Sequence, residues 1–256
     1  MLIHGALVAL DDMVLSIMPL LSRQFRTIAF DRPGHGFSRR ARLTEASSWA
    51  QARAVRAACE ELGILRPIIV GHSFGGAVAL AHAILYPAHT TGVVALAPIV
   101  STEPRLEQLL FGPLAPPLWG DFIQSLSVTR ALQDRLLRIL WRSMFLPQQV
   151  PPGFAALFPF ELAAQDGAMI ATGEDAVGAI PAQMFNDLAY MTSSVPVRVL
   201  AGTHDLVVNN HLHGAKLPHL MPAASIEWLD GLGHMLHHFA PEAVACAVEE
   251  LARLPS

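Results

Sequence analysis

The chain has 256 residues, enough for one large domain or two small ones. Apolar residues make up 52% of it and charged residues 15%, which excludes a disordered protein, because disorder requires low apolar content and high charge. The net charge of −4 gives no electrostatic reason to expect nucleic acid or an anionic membrane as a partner.

Six short apolar runs are predicted to be strands, and longer helical patterns separate them. The strands lie at residues 1–3, 26–30, 67–70, 93–96, 197–200 and 226–229. The clearest helices lie at 46–62, 75–86 and 241–254. Because helices alternate with nearly continuous apolar strands, we expect an α/β fold with a mostly parallel sheet flanked by helices.

One region, residues 101–194, breaks this alternation. It has no clear strand, many prolines and many bulky apolar side chains. A structureless loop of that length is unusual in a compact domain, so we interpret it as a helical insertion that covers the strand ends. This region is called the cap segment below. The predicted domains are a core of residues 1–100 and 195–256 and a cap of residues 101–194.

Cellular context follows from what the sequence lacks. Two cysteines do not form a disulfide framework, which favours a reducing, cytoplasmic location. No apolar run reaches the roughly 20 residues of a membrane span, and we expect no secretory signal at the N-terminus.

The strongest functional signal is Gly-His-Ser-Phe-Gly at residues 71–75. This G-x-S-x-G pattern stands between a predicted buried strand and a predicted helix, where a tight turn needs glycine on both sides of the serine. Such a turn projects the hydroxyl of Ser73 beside the N-terminus of the helix, which favours a developing negative charge. The sequence therefore predicts Ser73 as a nucleophile; the alternative is a serine that merely caps the helix.

A serine nucleophile needs a base and an acid that orients the base. His234 follows the last predicted strand and Asp205 follows the fifth, so parallel strands bring both to the same sheet edge as Ser73. The order Ser, Asp, His fits this architecture. Glu103 is the rival acid. His204, His237 and His238 are rival histidines, but we find no metal-binding spacing among them.

Charge on the attacked carbonyl needs two N–H donors. One is predicted to be the backbone N–H of Phe74, directly after the nucleophile. The other is predicted in the loop after the first strand, where Gly5 allows the N–H of Ala6 to face the site. We expect His4 to order this loop and to take no part in the chemistry.

The motifs together resemble the α/β-hydrolase superfamily. They are His-Gly-Ala at residues 4–6, Asp-Arg-Pro-Gly-His-Gly-Phe-Ser at 31–38, Gly-His-Ser-Phe-Gly-Gly at 71–76, Gly-Thr-His-Asp at 202–205 and Gly-His at 233–234. The turn at 31–38 is similar to that of the esterase, lipase, epoxide-hydrolase and haloalkane-dehalogenase branch with a helical cap, and Ser73 points to its serine esterase and lipase members. The resemblance implies a catalytic triad of Ser73, Asp205 and His234, an oxyanion hole of Ala6 and Phe74, and no cofactor. From the spacing of the histidines we also expect no metal. A serine nucleophile speaks against the epoxide hydrolases and haloalkane dehalogenases, which carry aspartate there.

The family usually has two outer strands before the strand that leads into the His-Gly loop, and this sequence shows no counterpart of them. The strand at 26–30 would then form an exposed edge, which invites pairing with another chain. We therefore expect a homodimer or an unusually unstable protein.

The sequence thus predicts a hydrolase that cleaves a small or medium apolar carboxylic ester through an acyl-enzyme. The apolar side chains of the cap segment would line the acyl pocket or form the cap's own core. Lactone, thioester or carbon–carbon hydrolysis and cofactor-free perhydrolysis use the same triad and stay open. A protein of this fold that binds a hydrophobic ligand without turnover is the alternative from another class.

Overall fold

A computed structural model describes residues 1–254, with the backbone alone for 127–131 and 180–187. One parallel sheet of six strands runs through it in the order β2-β1-β3-β4-β5-β6. The strands are β1 (Leu2–Ile3), β2 (Ala29–Phe30), β3 (Ile68–His72), β4 (Gly92–Leu96), β5 (Val197–Gly202) and β6 (Ala224–Leu229). The prediction of a parallel α/β sheet is confirmed.

The helices of the core pack on both faces of this sheet. They are α1 (Asp11–Val14), α2 (Met18–Leu21), α3 (Ser48–Glu61) and α4 (Phe74–Leu85), followed after the cap segment by α11 (Leu217–Leu220) and α12 (Pro241–Ala252). Helices α3 and α4 share one apolar cluster with β3 and β4, and α2 and α12 share another on the opposite face. The side chain of Ser47 starts α3 by accepting the N–H of Ala50, which satisfies one unpaired donor of the first turn.

The cap segment is helical, as expected from its length and composition. Its helices are α5 (Leu106–Phe111), α6 (Trp119–Ser125), α7 (Ser127–Met144), α8 (Pro152–Leu157), α9 (Phe160–Ala163) and α10 (Asp166–Met191). The buried indole N–H of Trp141 donates to the carbonyl of Leu7 at 2.7 Å, and Gln148 bonds both Gly231 and Gly233. The segment therefore rests on two loops at the carboxyl ends of the strands.

Strand β2 is shorter than the predicted 26–30. Its one neighbour, β1, offers only Leu2 and Ile3 for pairing, which face Ala29 and Phe30. Since β2 ends the strand order, its other side has no strand beside it among the described residues. Pairing of two chains through this edge stays a prediction.

A buried ion network joins the turn after β2 to helix α10. The guanidinium of Arg32 lies 2.6 Å from Asp175, and Arg40 bonds both Asp175 and Glu174. Burial opposes the ionisation of Asp175, but Arg32 and Arg40 outweigh it and hold its pKa below the usual value. Removing one partner of a buried pair typically costs about 3–5 kcal/mol, so this network fixes the cap segment to the core.

His35 makes this network sensitive to acid. Burial, and then the charge of Arg32, lowers the pKa of His35 to about 4. The folded protein therefore keeps this imidazole neutral, while the unfolded chain takes up a proton below a pH of about 6.5. The contribution of His35 to stability is complete above that pH and is lost as the pH falls towards 4.

We therefore expect His35→Gln to flatten the pH dependence of stability. Between pH 7 and pH 5, the free energy of unfolding should fall by about 2 kcal/mol less in the variant than in the wild type. Urea unfolding at both pH values measures this difference. His219→Gln, at an exposed position, is the control and should behave as the wild type. An equal fall in all three proteins would contradict the assignment.

Candidate active site

Ser73 occupies a strained turn between β3 and α4. Its φ of 54° and ψ of −117° lie in a region that non-glycine residues rarely adopt. The backbone is fixed there because the N–H of Ser73 donates to the carbonyl of Leu96 at 2.8 Å. The local geometry agrees with the sharp strand-to-helix turn that the sequence predicts.

The glycines around Ser73 permit close backbone contacts. A Cβ atom on Gly75 would stand 2.4 Å from the carbonyl oxygen of Ile3, and one on Gly71 would stand 2.2 Å from the carbonyl oxygen of Gly75. Both distances are shorter than any real Cβ contact. Glycine at these positions therefore lets helix α4 start directly against β1 and β3.

The structure brings His234 and Asp205 together, since Nδ1 of His234 lies 2.8 Å from Oδ2 of Asp205. Both side chains are buried. Burial opposes the ionisation of Asp205, but the charge of His234 and hydrogen bonds from His234, Val208 and Val207 hold its pKa below the usual value. A carboxylate that stays ionised fixes one ring orientation and keeps the proton on Nδ1, leaving Nε2 free to act as a base.

The rival acid Glu103 lies elsewhere. Its Oε1 atom is 2.8 Å from Nε2 of His213, and Nδ1 of that ring accepts the N–H groups of Val100 and Ser101. The structure thus brings Asp205 and not Glu103 to His234.

Asn210 completes the environment of Asp205, and sequence reasoning missed it. The side-chain amide of Asn210 donates to Oδ2 of Asp205 at 3.1 Å. The other carboxylate oxygen, Oδ1 of Asp205, accepts the N–H groups of Val207 and Val208. Both oxygens of the carboxylate are therefore engaged. The signal in the sequence is weak: a buried asparagine five residues after an aspartate resembles any polar turn.

One cavity connects these residues. It has a volume of about 550 Å³, and Ala6, Ser73, Asp205 and His234 all line it. No hydrogen bond joins the Ser73 hydroxyl to His234 among the contacts of the described residues; such bonds often tighten only when substrate is bound. The arrangement can bring a hydroxyl, an imidazole and a carboxylate to one small molecule.

The loop after β1 lies beside the serine. A Cβ atom on Gly5 would approach the Cβ of Ser73 to 3.2 Å. Within the described residues, the backbone N–H groups of Ala6 and Phe74 donate to no backbone carbonyl. These two donors, which the sequence predicts for the oxyanion hole, are therefore not used by the backbone, and Ala6 lines the cavity.

Arg32 and His4 hold this loop in place. The backbone N–H of Arg32 donates to Nε2 of His4 at 2.9 Å, so the proton of this neutral ring is on Nδ1, which donates to the carbonyl of Gly5 at 2.8 Å. Burial, followed by the charge of Arg32, keeps the pKa of His4 well below its usual value. The geometry agrees with the expectation that His4 orders the loop.

The guanidinium of Arg32 touches both parts of the predicted oxyanion hole. It donates to the carbonyl oxygens of His4 and Gly5, each at 3.1 Å. Its central carbon also lies 4.8 Å from the centre of the Phe74 ring, within the range of a cation–π contact. The sequence motif names Arg32, but no local pattern shows that it reaches residues 4, 5 and 74 together.

Three further polar residues gather beneath the site. Each oxygen of the buried Asp12 carboxylate bonds one histidine, with Nε2 of His237 at 3.0 Å and Nε2 of His238 at 2.8 Å. Their ligand atoms lie within 4.8 Å of one another, as a metal site would need, yet they already satisfy each other. The sequence pattern does not show that Asp12 joins these two histidines. The expectation of no metal stays a prediction.

Comparisons with known proteins agree with this architecture. Residues 1–248 match the model of the alpha/beta hydrolase family. The chain is 26% identical to the magnesium-chelatase 30 kDa subunit of Rhodobacter capsulatus, across 96% of this chain and 83% of that protein. It is 34% identical to a 2-hydroxy-6-oxononadienedioate/2-hydroxy-6-oxononatrienedioate hydrolase of Comamonas testosteroni, across 50% of this chain and 49% of that protein.

The structure resembles a solved hydrolase over nearly its whole length. The 2-hydroxy-6-oxo-6-phenylhexa-2,4-dienoate hydrolase from a Rhodococcus species superposes with a TM-score of 0.77 at 20% identity, across 99% of this chain and 89% of that one. At this identity the likeness shows the fold alone. Within the described residues, no helix combines the length and apolar character that crossing a membrane requires.

The close contact at Gly75 generates a test of the turn. Gly75→Ala should lower the free energy of unfolding by about 3 kcal/mol, the upper end for overpacking, because the new methyl group meets backbone. Gly153→Ala, where a Cβ atom meets nothing within 4 Å, should be neutral or slightly stabilising. Chemical denaturation of both variants measures the difference, and equal stabilities would contradict the geometry.

Proposed function

The chain belongs to the alpha/beta hydrolase family, and from that premise we propose that it cleaves a carboxylic ester through an acyl-enzyme on Ser73. The carrying observation is the 2.8 Å contact between His234 and Asp205 at a cavity that Ser73 and Ala6 also line. A serine in a strained turn, an oriented imidazole and free N–H donors are the parts that acyl transfer needs.

In the first half of the reaction, Nε2 of His234 removes the proton from the Ser73 hydroxyl as the oxygen attacks the ester carbonyl. The carbonyl oxygen becomes an anion, and the N–H groups of Ala6 and Phe74 stabilise it. When the intermediate collapses, the alcohol leaves with the proton from His234. Asp205 stays ionised throughout and stabilises the imidazolium.

In the second half, His234 removes a proton from water, which attacks the acyl-enzyme carbonyl. The same N–H donors stabilise the second oxyanion, and collapse returns the proton to Ser73 and releases the carboxylic acid. No cofactor takes part in this proposed cycle.

The cap segment is proposed to act as a separate cap that shapes the acyl pocket. Leu110, Phe111, Leu140 and Met144 contribute apolar surface to the cavity from helices α5 and α7. Such surface favours a small or medium apolar acyl group, because its burial contributes about 0.8 kcal/mol for each methylene.

Carbon–carbon bond hydrolysis is the second candidate. The relative from Comamonas testosteroni that matches half of this chain is named as a hydrolase of an oxo-dienedioate, and the same triad can serve such chemistry. A conjugated oxo-dienoate absorbs light strongly, so loss of its absorbance with the purified protein would favour this candidate over ester cleavage.

The proposed reaction predicts strict dependence on Ser73. A series of p-nitrophenyl esters of rising acyl length should be hydrolysed by the wild type, and Ser73→Ala should lose activity by at least about 10⁴-fold without a change in stability. A fluorophosphonate probe should label the wild type at Ser73 alone. Absence of both hydrolysis and labelling would favour a non-catalytic binding protein of this fold.

Arg32 offers a second test, because it positions the oxyanion hole. Arg32→Lys cannot bond the carbonyls of His4 and Gly5 together while it contacts the Phe74 ring. We expect kcat to fall about 10-fold or more, since the N–H donors act on the transition state, while KM changes little.

The matched control is Arg40→Lys. Arg40 also bonds Asp175, yet it makes no hydrogen bond to the loop after β1 in the described part of the chain. It should therefore lower stability and leave kcat within about twofold. If both variants lower kcat equally, Arg32 acts only through the ion network and the positioning role is wrong.

A further inference from the structure

The cavity that holds the candidate triad contains one buried cation with an unused donor. Arg105, the N-cap residue of helix α5, lines this cavity, and its side chain is only 5% exposed. Its Nη1 atom is buried and has no hydrogen-bond partner among the described residues. Buried guanidinium N–H groups are nearly always paired, so this donor lacks an acceptor.

The neighbouring carboxylates do not supply one. Glu107 approaches Nη2 of Arg105 at 3.3 Å, and its contact leaves Nη1 unpaired. Glu103 lies at His213, and Asp205 is engaged by His234 and Asn210. Arg105 is the single Arg or Lys among the described residues that line the cavity.

We propose that Arg105 binds a carboxylate carried by the substrate, at a distance from the ester that Ser73 attacks. This inference rests on the proposed function and narrows its substrate class to monoanionic acyl compounds. A guanidinium matches the planar geometry of a carboxylate and can donate two parallel hydrogen bonds to it.

The charges around the cavity favour one negative charge over two. Glu103 and Glu107 line the same region as Arg105, so a dianionic phosphate would meet two carboxylates against a single cation. A carboxylate brings one charge and replaces the weak contact with Glu107. The apolar surface of the cap segment would then accommodate the methylene groups between the ester and the carboxylate.

Matched pairs of esters test this proposal. The mono-p-nitrophenyl esters of glutaric, adipic and pimelic acid carry a terminal carboxylate, and p-nitrophenyl pentanoate, hexanoate and heptanoate are their neutral counterparts. The wild type should prefer the anionic member of at least one pair in kcat/KM. Ser73→Ala gives the background, which matters because a terminal carboxylate can itself attack an ester.

The decisive variant is Arg105→Gln. It should lose about 10- to 100-fold in kcat/KM on the preferred anionic ester, the size of one charge-assisted interaction, and less than about twofold on the neutral partner. On the anionic ester, the kcat/KM of Arg105→Lys should lie between those of the wild type and Arg105→Gln. Arg138→Gln, an exposed arginine of helix α7, removes the same charge from the cap segment outside the cavity and should change neither ester.

The outcomes separate this proposal from the proposed function. Ser73-dependent hydrolysis of the neutral esters without a preference for the anionic ones, or with equal losses in Arg105→Gln, would overturn the Arg105 assignment alone. If no ester is hydrolysed, calorimetry still decides it: Ser73→Ala should bind monomethyl adipate more tightly than dimethyl adipate, and the further change Arg105→Gln should abolish the difference. Equal binding of the two compounds would refute the carboxylate site.

Discussion

The buried guanidinium of Arg32 is the constraint on which the candidate site depends. A cation that is fully removed from water needs compensation from every side. Here Asp175 supplies the opposite charge, while the carbonyl groups of His4 and Gly5 accept two of its N–H groups. Asp175 belongs to the cap segment, His4 and Gly5 belong to the loop after β1, and Arg32 itself stands in the turn after β2. A single desolvated charge therefore holds these three parts of the chain in one arrangement.

This arrangement explains how a backbone N–H group in an irregular loop can be held in a fixed position near the serine. The loop after β1 has no regular structure, and its position is set by bonds to its carbonyls and by the neutral ring of His4. Phe74 belongs to the rigid start of α4, whereas Ala6 belongs to that loop. Arg32 contacts the Phe74 ring and the carbonyl of Gly5, the residue before Ala6, and so couples two elements of very different intrinsic stiffness.

Local and topological information in the sequence is enough to predict that the three residues of the candidate triad lie at one edge of the sheet. Ser73 stands in a short pattern whose glycines are required by nearby backbone, and His234 and Asp205 follow strands whose carboxyl ends share one edge. Asn210 and Asp175 could not be predicted in this way, because their roles depend on contacts made after folding; Asp175 meets Arg32 across 143 positions of chain.

The same distinction holds for the fold. The apolar runs predict six strands and the three long helices of the core, but α1 and α2 span only four residues each, too few for a periodic pattern to emerge. The length of β2 is limited by the length of β1, and the sequence of β2 alone does not show this limit. Local propensity therefore places the elements, and the neighbouring element decides where each one ends.

The cavity combines two kinds of surface that act on different steps. In the proposed reaction, the apolar side chains of α5 and α7 would bind substrate in the ground state and the transition state alike, so by themselves they would lower KM without raising kcat. The proposed N–H donors beside Ser73 would act only once charge has developed on the carbonyl. A cation set apart from the serine, as we propose for Arg105, would add binding energy remote from the reacting bond. That binding energy can position the ester next to the Ser73 hydroxyl. Loss of the remote interaction would then lower kcat as well as raise KM.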